Sequence, residues 1–257
     1  MIIELTAADG HKLSAYKVDP ADAPKGAVVV LQELFGVNSH IKAVAEAFAQ
    51  QGYVAIAPAL FDRVEQNVEL AYDEAGLDRG VSLFKQIPLE STLCDIQAAV
   101  DAVKSAGKVA VVGYSWGGYL AYRAANSITG LACAIGYYGV GITQEHREKR
   151  KIPTLLHFAE ADPLIPFEEV EQFRASRPDV SAFTYPAGHG FNCNDRNSYQ
   201  EDAARTAQER TLFWISQFVV GQPPVTLKNS GAYAQQKSDK KKGKKKSAED
   251  DLGPPLD

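Results

Sequence analysis

Cysteine is scarce in this chain: three residues in 257, an odd number with no paired spacing. A disulfide framework is therefore excluded as the basis of the fold, and a cytoplasmic, disulfide-free protein is expected. Cys94 falls in a helical pattern and Cys133 in a strand pattern, so both read as small buried hydrophobes. No Cys/His cluster has zinc-ligand spacing, and neither a G-x-G-x-x-G nor a P-loop pattern occurs. No metal and no cofactor are expected on that ground. No apolar run is long enough to cross a bilayer as a helix, and no basic stretch followed by an apolar one opens the chain. Neither a membrane span nor a secretory leader is expected.

What is present is ample core material: 45% of the residues are hydrophobic. They alternate between two kinds of segment. Ile2-Ile3-Glu4-Leu5 and residues 13–18 read as an N-terminal hairpin. Residues 26–31, 53–57, 109–112, 133–137, 152–158 and 182–185 read as strands. The unbroken β-branched run Val28-Val29-Val30 suits a sheet covered on both faces. Between them, residues 40–51, 90–106 and 200–219 place apolar side chains at helical spacing. Gly52 ends the first of these helices. Alternating strands and helices predict a single α/β domain with a mostly parallel sheet and right-handed crossovers. Residues 61–87 carry no decisive pattern.

The most informative stretch is Gly113-Tyr114-Ser115-Trp116-Gly117, directly after the strand ending at Val112. A strand that stops abruptly and feeds a helix, with serine at the corner, is the nucleophile elbow of an α/β-hydrolase. The sharp turn demands small residues two before and two after the serine, and Gly113 and Gly117 meet that need. A helix N-terminus beside the serine offers free N–H groups to a developing oxyanion. Such an enzyme needs an acid and then a histidine, in that chain order. Asp162 lies just past the strand at 152–158, where open α/β sheets place their sites, with Glu160 as the alternative acid. His189 follows the last strand between two glycines, an unusual setting for a packed core histidine. His40, opening a helix near the expected mouth, is its rival; His146 lies in a charged, solvated stretch.

Together with Glu33-Leu34-Phe35-Gly36, Ala57-Pro58-Ala59-Leu60-Phe61, Gly136-Tyr137-Tyr138-Gly139 and Ala187-Gly188-His189, these residues make the chain resemble the dienelactone hydrolase family from about Met1 to Val220. The resemblance implies an α/β-hydrolase fold with an eight-stranded sheet. It also implies hydrolysis of a carboxylic ester or lactone, with Ser115, Asp162 and His189 as the catalytic residues. Leu34 and Trp116 match positions whose backbone N–H groups form the oxyanion hole. Glu33 matches a glutamate that partners a resting thiol, and Tyr137 matches a tyrosine near the substrate. Family members usually carry cysteine where Ser115 stands, so reliance on the His–Asp pair is expected to be greater here. Cys193 occupies the position, four residues after the histidine, of a carboxylate-binding arginine. A second such arginine is matched only by Arg79, with a small gap. Arg63, following the strand at 53–57, is a further candidate for a substrate anion; its alternative is a surface pair with Asp62 or Glu65.

From Gly221 the composition changes. Residues 222–257 hold eight Lys and five Asp or Glu, a net +3, which leaves −8 on residues 1–221 of a chain of net −5. With few apolar residues this segment reads as a disordered tail after a hydrolase domain at 1–221. A solubilising tail is expected; a basic run is also able to contact nucleic acid or an anionic surface. Besides a dienelactone hydrolase-like enzyme, two readings stay open: a general short-chain carboxylesterase or thioesterase, and a non-catalytic binding relative that works through its basic tail.

Overall fold

The computed structural model describes residues 1–145 and 147–221. The readings made of His146 and of the segment 222–257 lie outside the described residues. An eight-stranded sheet forms the centre: β1 (Ile2–Thr6), β2 (Lys12–Val18), β3 (Ala27–Leu31), β4 (Val54–Pro58), β5 (Val109–Tyr114), β6 (Leu131–Tyr137), β7 (Thr154–Ala159) and β8 (Ser181–Tyr185). The spatial order is β1-β2-β4-β3-β5-β6-β7-β8. The β1–β2 and β2–β4 pairs are antiparallel; from β4 through β8 every pair is parallel. The expected mostly parallel sheet is therefore observed, with the N-terminal hairpin at one edge.

Among the described residues the α-helices are α1 (Ser39–Gln50), α2 (Glu74–Phe84), α3 (Leu89–Val103), α4 (Trp116–Ser127), α5 (Phe167–Ser176) and α6 (Glu201–Ile215). They cover both faces of the sheet. Val29, Leu31 and Val111 point into a core shared with α3 and α4. Val28, Val30 and Val112 point the other way, into a core with Phe48 of α1 and Ile215 of α6. This is why β3 and β5 are apolar at every position rather than at alternate ones. Asn38 caps α1 by accepting a hydrogen bond from the Ile41 N–H at 3.2 Å.

Helix α2 lies within the stretch that carried no decisive pattern. Its glycines explain the omission, since each weakens a helix by about 1 kcal/mol relative to alanine. Gly80 is required by packing: a Cβ there would sit 1.8 Å from the Leu34 carbonyl oxygen. The helix trades propensity for contact with the loop that leaves β3.

Candidate active site

Ser115 occupies the corner between β5 and α4 with φ +52° and ψ −114°. A positive φ is unfavourable for serine, and the turn is held by its surroundings. The Ser115 N–H donates to the Tyr137 carbonyl at 2.9 Å, and the Gly117 N–H donates to the Gln32 carbonyl at 3.1 Å. A side chain at Gly117 would collide with the Leu31 and Gln32 carbonyls, at 2.4 and 2.6 Å. The elbow thus depends on glycine for close backbone approach as well as for the sharp turn.

The Ser115 hydroxyl lies 3.0 Å from His189 Nε2. His189 Nδ1 lies 2.8 Å from Asp162 Oδ2. The other carboxylate oxygen, Asp162 Oδ1, accepts the Leu164 N–H at 2.8 Å, which fixes the acid's orientation. All three residues are buried. The loops that carry Asp162 and His189 are stitched together by the Glu160 N–H to the Tyr185 carbonyl and the Ala161 N–H to the Ala187 carbonyl. Glu160 itself is exposed. His40 is buried against the Tyr72 and Tyr114 rings, with no partner for Nε2 among the described residues. The structure therefore brings Ser115, His189 and Asp162 into one hydrogen-bonded chain and leaves Glu160 and His40 outside it.

Leu34 stands in the turn after β3, and Trp116 is the first residue of α4. Among the described residues neither backbone N–H donates to another protein group. Trp116 stacks on Phe61 at 5.5 Å and meets the edge of Phe84 at 5.4 Å, giving the elbow an aromatic flank.

The expected substrate-binding residues fare differently. Arg63 is committed elsewhere. It makes two parallel hydrogen bonds to Asp95, at 2.6 and 2.8 Å, and a third contact to Asp9 at 2.9 Å. Neither Asp62 nor Glu65 is its partner; Asp62 instead accepts the Ser14 N–H and hydroxyl. Arg79 lies on the half-exposed side of α2, paired with Glu65. The Tyr137 hydroxyl is bound to the Thr211 hydroxyl at 2.7 Å, inside a chain that continues through His157 to Tyr185. Its contribution at the elbow is its carbonyl, not its phenol. Its neighbour Tyr138 is the tyrosine that faces the triad, with its ring 5.1 Å from that of His189. Glu33 is fully buried; one oxygen lies 3.4 Å from Arg196, and the other has no partner among the described residues. Cys193 is buried, and burial together with the Glu33 charge pushes its thiol up to about 11.

Arg196 escaped the sequence reading, which looked for an arginine only at a fixed distance after His189. It lies on the same loop, against Gly190 and 5.6 to 5.8 Å from the Tyr72 and Phe35 rings. The one available signal was a basic residue on the loop after the histidine.

Among the described residues no cluster of His, Cys, Asp or Glu is arranged to hold a metal ion, and no helix is long and apolar enough to cross a membrane. The profile of the dienelactone hydrolase family matches residues 13–219. The carboxymethylenebutenolidase of Pseudomonas putida is 31% identical over 226 residues, covering 83% of this chain and 95% of its own. That of Pseudomonas sp. strain P51 is 33% identical over 222 residues, covering 82% and 92%. The crystal structure of a Klebsiella pneumoniae protein provisionally classed as a dienelactone hydrolase superposes with a TM-score of 0.71 at 28% identity. It covers 85% of this chain and 100% of that one. By the span of that match and the identity of these relatives, the chain belongs to the dienelactone hydrolase family.

Proposed function

We propose that this hydrolase cleaves a carboxylic ester or lactone through an acyl-enzyme on Ser115. The observation that carries the reading is the unbroken Ser115–His189–Asp162 chain at the strained elbow. His189 Nε2 accepts the hydroxyl proton as Ser115 attacks the carbonyl. Asp162 holds the Nδ1–H tautomer and stabilises the imidazolium. The Leu34 and Trp116 N–H groups receive the oxyanion, the latter at the N-terminus of α4. The leaving alcohol takes its proton from His189, and water then releases the acid by the reverse sequence.

Two relatives are carboxymethylenebutenolidases, and a lactone substrate fits the same chemistry. The arginines argue for a broader ester range. Arg63 and Arg79 are paired with acids, and Arg196 already faces Glu33. A substrate carboxylate would compete with the buried Glu33 for Arg196. A short-chain carboxylesterase or thioesterase activity is therefore the second reading. The hydrolase body is assigned to residues 1–221, in keeping with the family match ending at 219, and 222–257 to a tail with no part in the chemistry. A cytoplasmic location accords with three free cysteines.

The test is Ser115→Ala. Hydrolysis of an activated aryl ester should fall on the order of 10⁴-fold or more. Wild-type protein treated with an aryl phosphonate should carry one adduct, on Ser115. Near-normal turnover by the alanine variant would place the chemistry elsewhere.

A further inference from the structure

Glu33 and Tyr138 are an unexplained pair. A thiol-activating role suits a glutamate beside cysteine; a serine hydroxyl is too weak an acid to be ionised that way. Yet the Glu33 carboxylate is fully buried, and Oε2 has no partner. Half-satisfied buried carboxylates are costly to keep. Tyr138 is odd in the same way. Its side chain is fully buried and its hydroxyl is also unpartnered. Its backbone is strained too: apart from glycines, only Asn67, Ser115 and Tyr138 have positive φ among the described residues, at +59°, +52° and +37°. For a bulky residue that is a true outlier, and such strain clusters at functional sites.

Tyr138 packs on a triad residue, and Glu33 stands on the loop joined to the elbow helix. Glu33 directly precedes Leu34, and the Gln32 carbonyl before it is bonded to the Gly117 N–H of the elbow helix. Arg196, which contacts Glu33, also rests on Gly190 beside His189. The Tyr138 ring packs edge-on to the His189 ring at 5.1 Å. The two groups also feel each other: burial, and then the Glu33 charge, raises the Tyr138 phenol well above its ordinary range. The Tyr138 hydroxyl thus keeps its proton to donate, and Glu33 Oε2 is an oxygen with no donor among the described residues.

We propose that Glu33 and Tyr138 position the water that hydrolyses the acyl-enzyme. The proposal rests on the acyl-serine reading above. An attacking water has two hydrogens and two lone pairs to place. One hydrogen goes to His189 Nε2, which accepts that proton during attack. The other is held by Glu33 Oε2. One lone pair accepts from the Tyr138 hydroxyl, and the other faces the Ser115 acyl carbonyl. The new C–O bond forms as His189 takes the proton. The tetrahedral adduct then expels Ser115 Oγ, which recovers the proton from His189, and the free acid leaves. Acylation needs no water, so these two side chains act in the second half of the cycle.

The experiment is stopped-flow hydrolysis of p-nitrophenyl butyrate by wild-type protein, Glu33→Gln and Tyr138→Phe, with intact-mass analysis of quenched samples. The first nitrophenol phase should change less than about threefold. Deacylation should slow ten- to a hundredfold, giving a stoichiometric burst and a persistent butyryl adduct on Ser115. Hydroxylamine, a stronger nucleophile less dependent on such placement, should restore turnover in both variants. Tyr138→Phe is nearly isosteric, so it decides the question if Glu33→Gln does not fold. Acylation and deacylation falling together, or a raised KM at unchanged kcat, would overturn the proposal while leaving the acyl-serine intact. Absence of any Ser115 adduct, with turnover surviving Ser115→Ala, would overturn the acyl-serine reading and this one with it.

Discussion

The Arg63 guanidinium closes on the Asp95 carboxylate with two parallel hydrogen bonds, 2.6 and 2.8 Å long. Asp95 lies on α3 with its side chain fully buried, and Arg63 is 13% exposed. Burial pushes the Asp95 carboxyl up, and Arg63 pulls it back toward the ionised form. The pair pins the turn after β4 to α3 and to Asp9. Arg63→Met should strand a buried carboxylate and destabilise the fold by about 3 to 5 kcal/mol. Adding Asp95→Asn should recover part of that loss. Urea titrations of the two variants check both values. At a temperature where the single variant is folded, its relative kcat/KM for neutral and anionic esters should equal that of wild type.

Substrate charge gives a second expectation. Arg63 and Arg79 are both paired with acids, so neither offers a free bidentate clamp to a carboxylate. Residues 1–221 also carry a net negative charge, which disfavours anion approach. A neutral aryl ester should be turned over at least as well as a dienelactone of similar leaving-group acidity, read as kcat/KM. A hundredfold preference for the anionic lactone would mean that Arg196 leaves Glu33 to bind it; Arg196→Met would then abolish the preference.

The sheet and the elbow were legible because their physics is local. Residues 28–30 and 109–112 are apolar throughout, and Gly113 and Gly117 bracket a serine in the spacing that a strand-to-helix corner requires. What was missed depends on contacts distant in sequence. Gly76 and Gly80 hide α2 until Leu34 is seen against it. The partner of Arg63 lies 32 residues away on another element. Tyr137 and Tyr138 are indistinguishable by type; β6 ends at Tyr137, and the positive φ of Tyr138 turns that residue toward His189. Arg196 sits on a loop, where no periodicity reports direction.

Gly80→Ala tests the contact between α2 and the Leu34 turn after β3. The added methyl would meet the Leu34 carbonyl at 1.8 Å, and backbone cannot swing aside as a flexible side chain can. Overpacking of this kind typically costs about 1 to 3 kcal/mol. Leu34 carries one proposed oxyanion donor, so its displacement should lower kcat more than it raises KM. A thermal melt and steady-state kinetics on an aryl ester measure both effects. A variant with wild-type stability and unchanged kcat would show that the loop yields freely.

The last expectation concerns acid stability and centres on His157. It is fully buried on β7, with Nδ1 2.8 Å from the Tyr185 hydroxyl and Nε2 3.0 Å from the Thr211 hydroxyl. Burial, and then the nearby Arg210 charge, lowers its pKa to about 3. In the unfolded chain an ordinary histidine titrates near about 6.5. The folded pKa is thus the lower one, and below pH ~6.5 the unfolded state binds the extra proton. His157 contributes no penalty above that pH. As pH falls toward 3, the fold loses about 1.4 kcal/mol per unit, or ~2 kcal/mol between pH 6.5 and 5. His157→Gln keeps a donor and an acceptor but does not titrate. Its unfolding free energy, measured in urea from pH 7 to 4, should fall less steeply than that of wild type by about one proton. Parallel profiles would mean that His157 takes up its proton within the fold as readily as in the unfolded chain. The cost of holding an imidazole away from its proton would then not be part of this sheet's energetics.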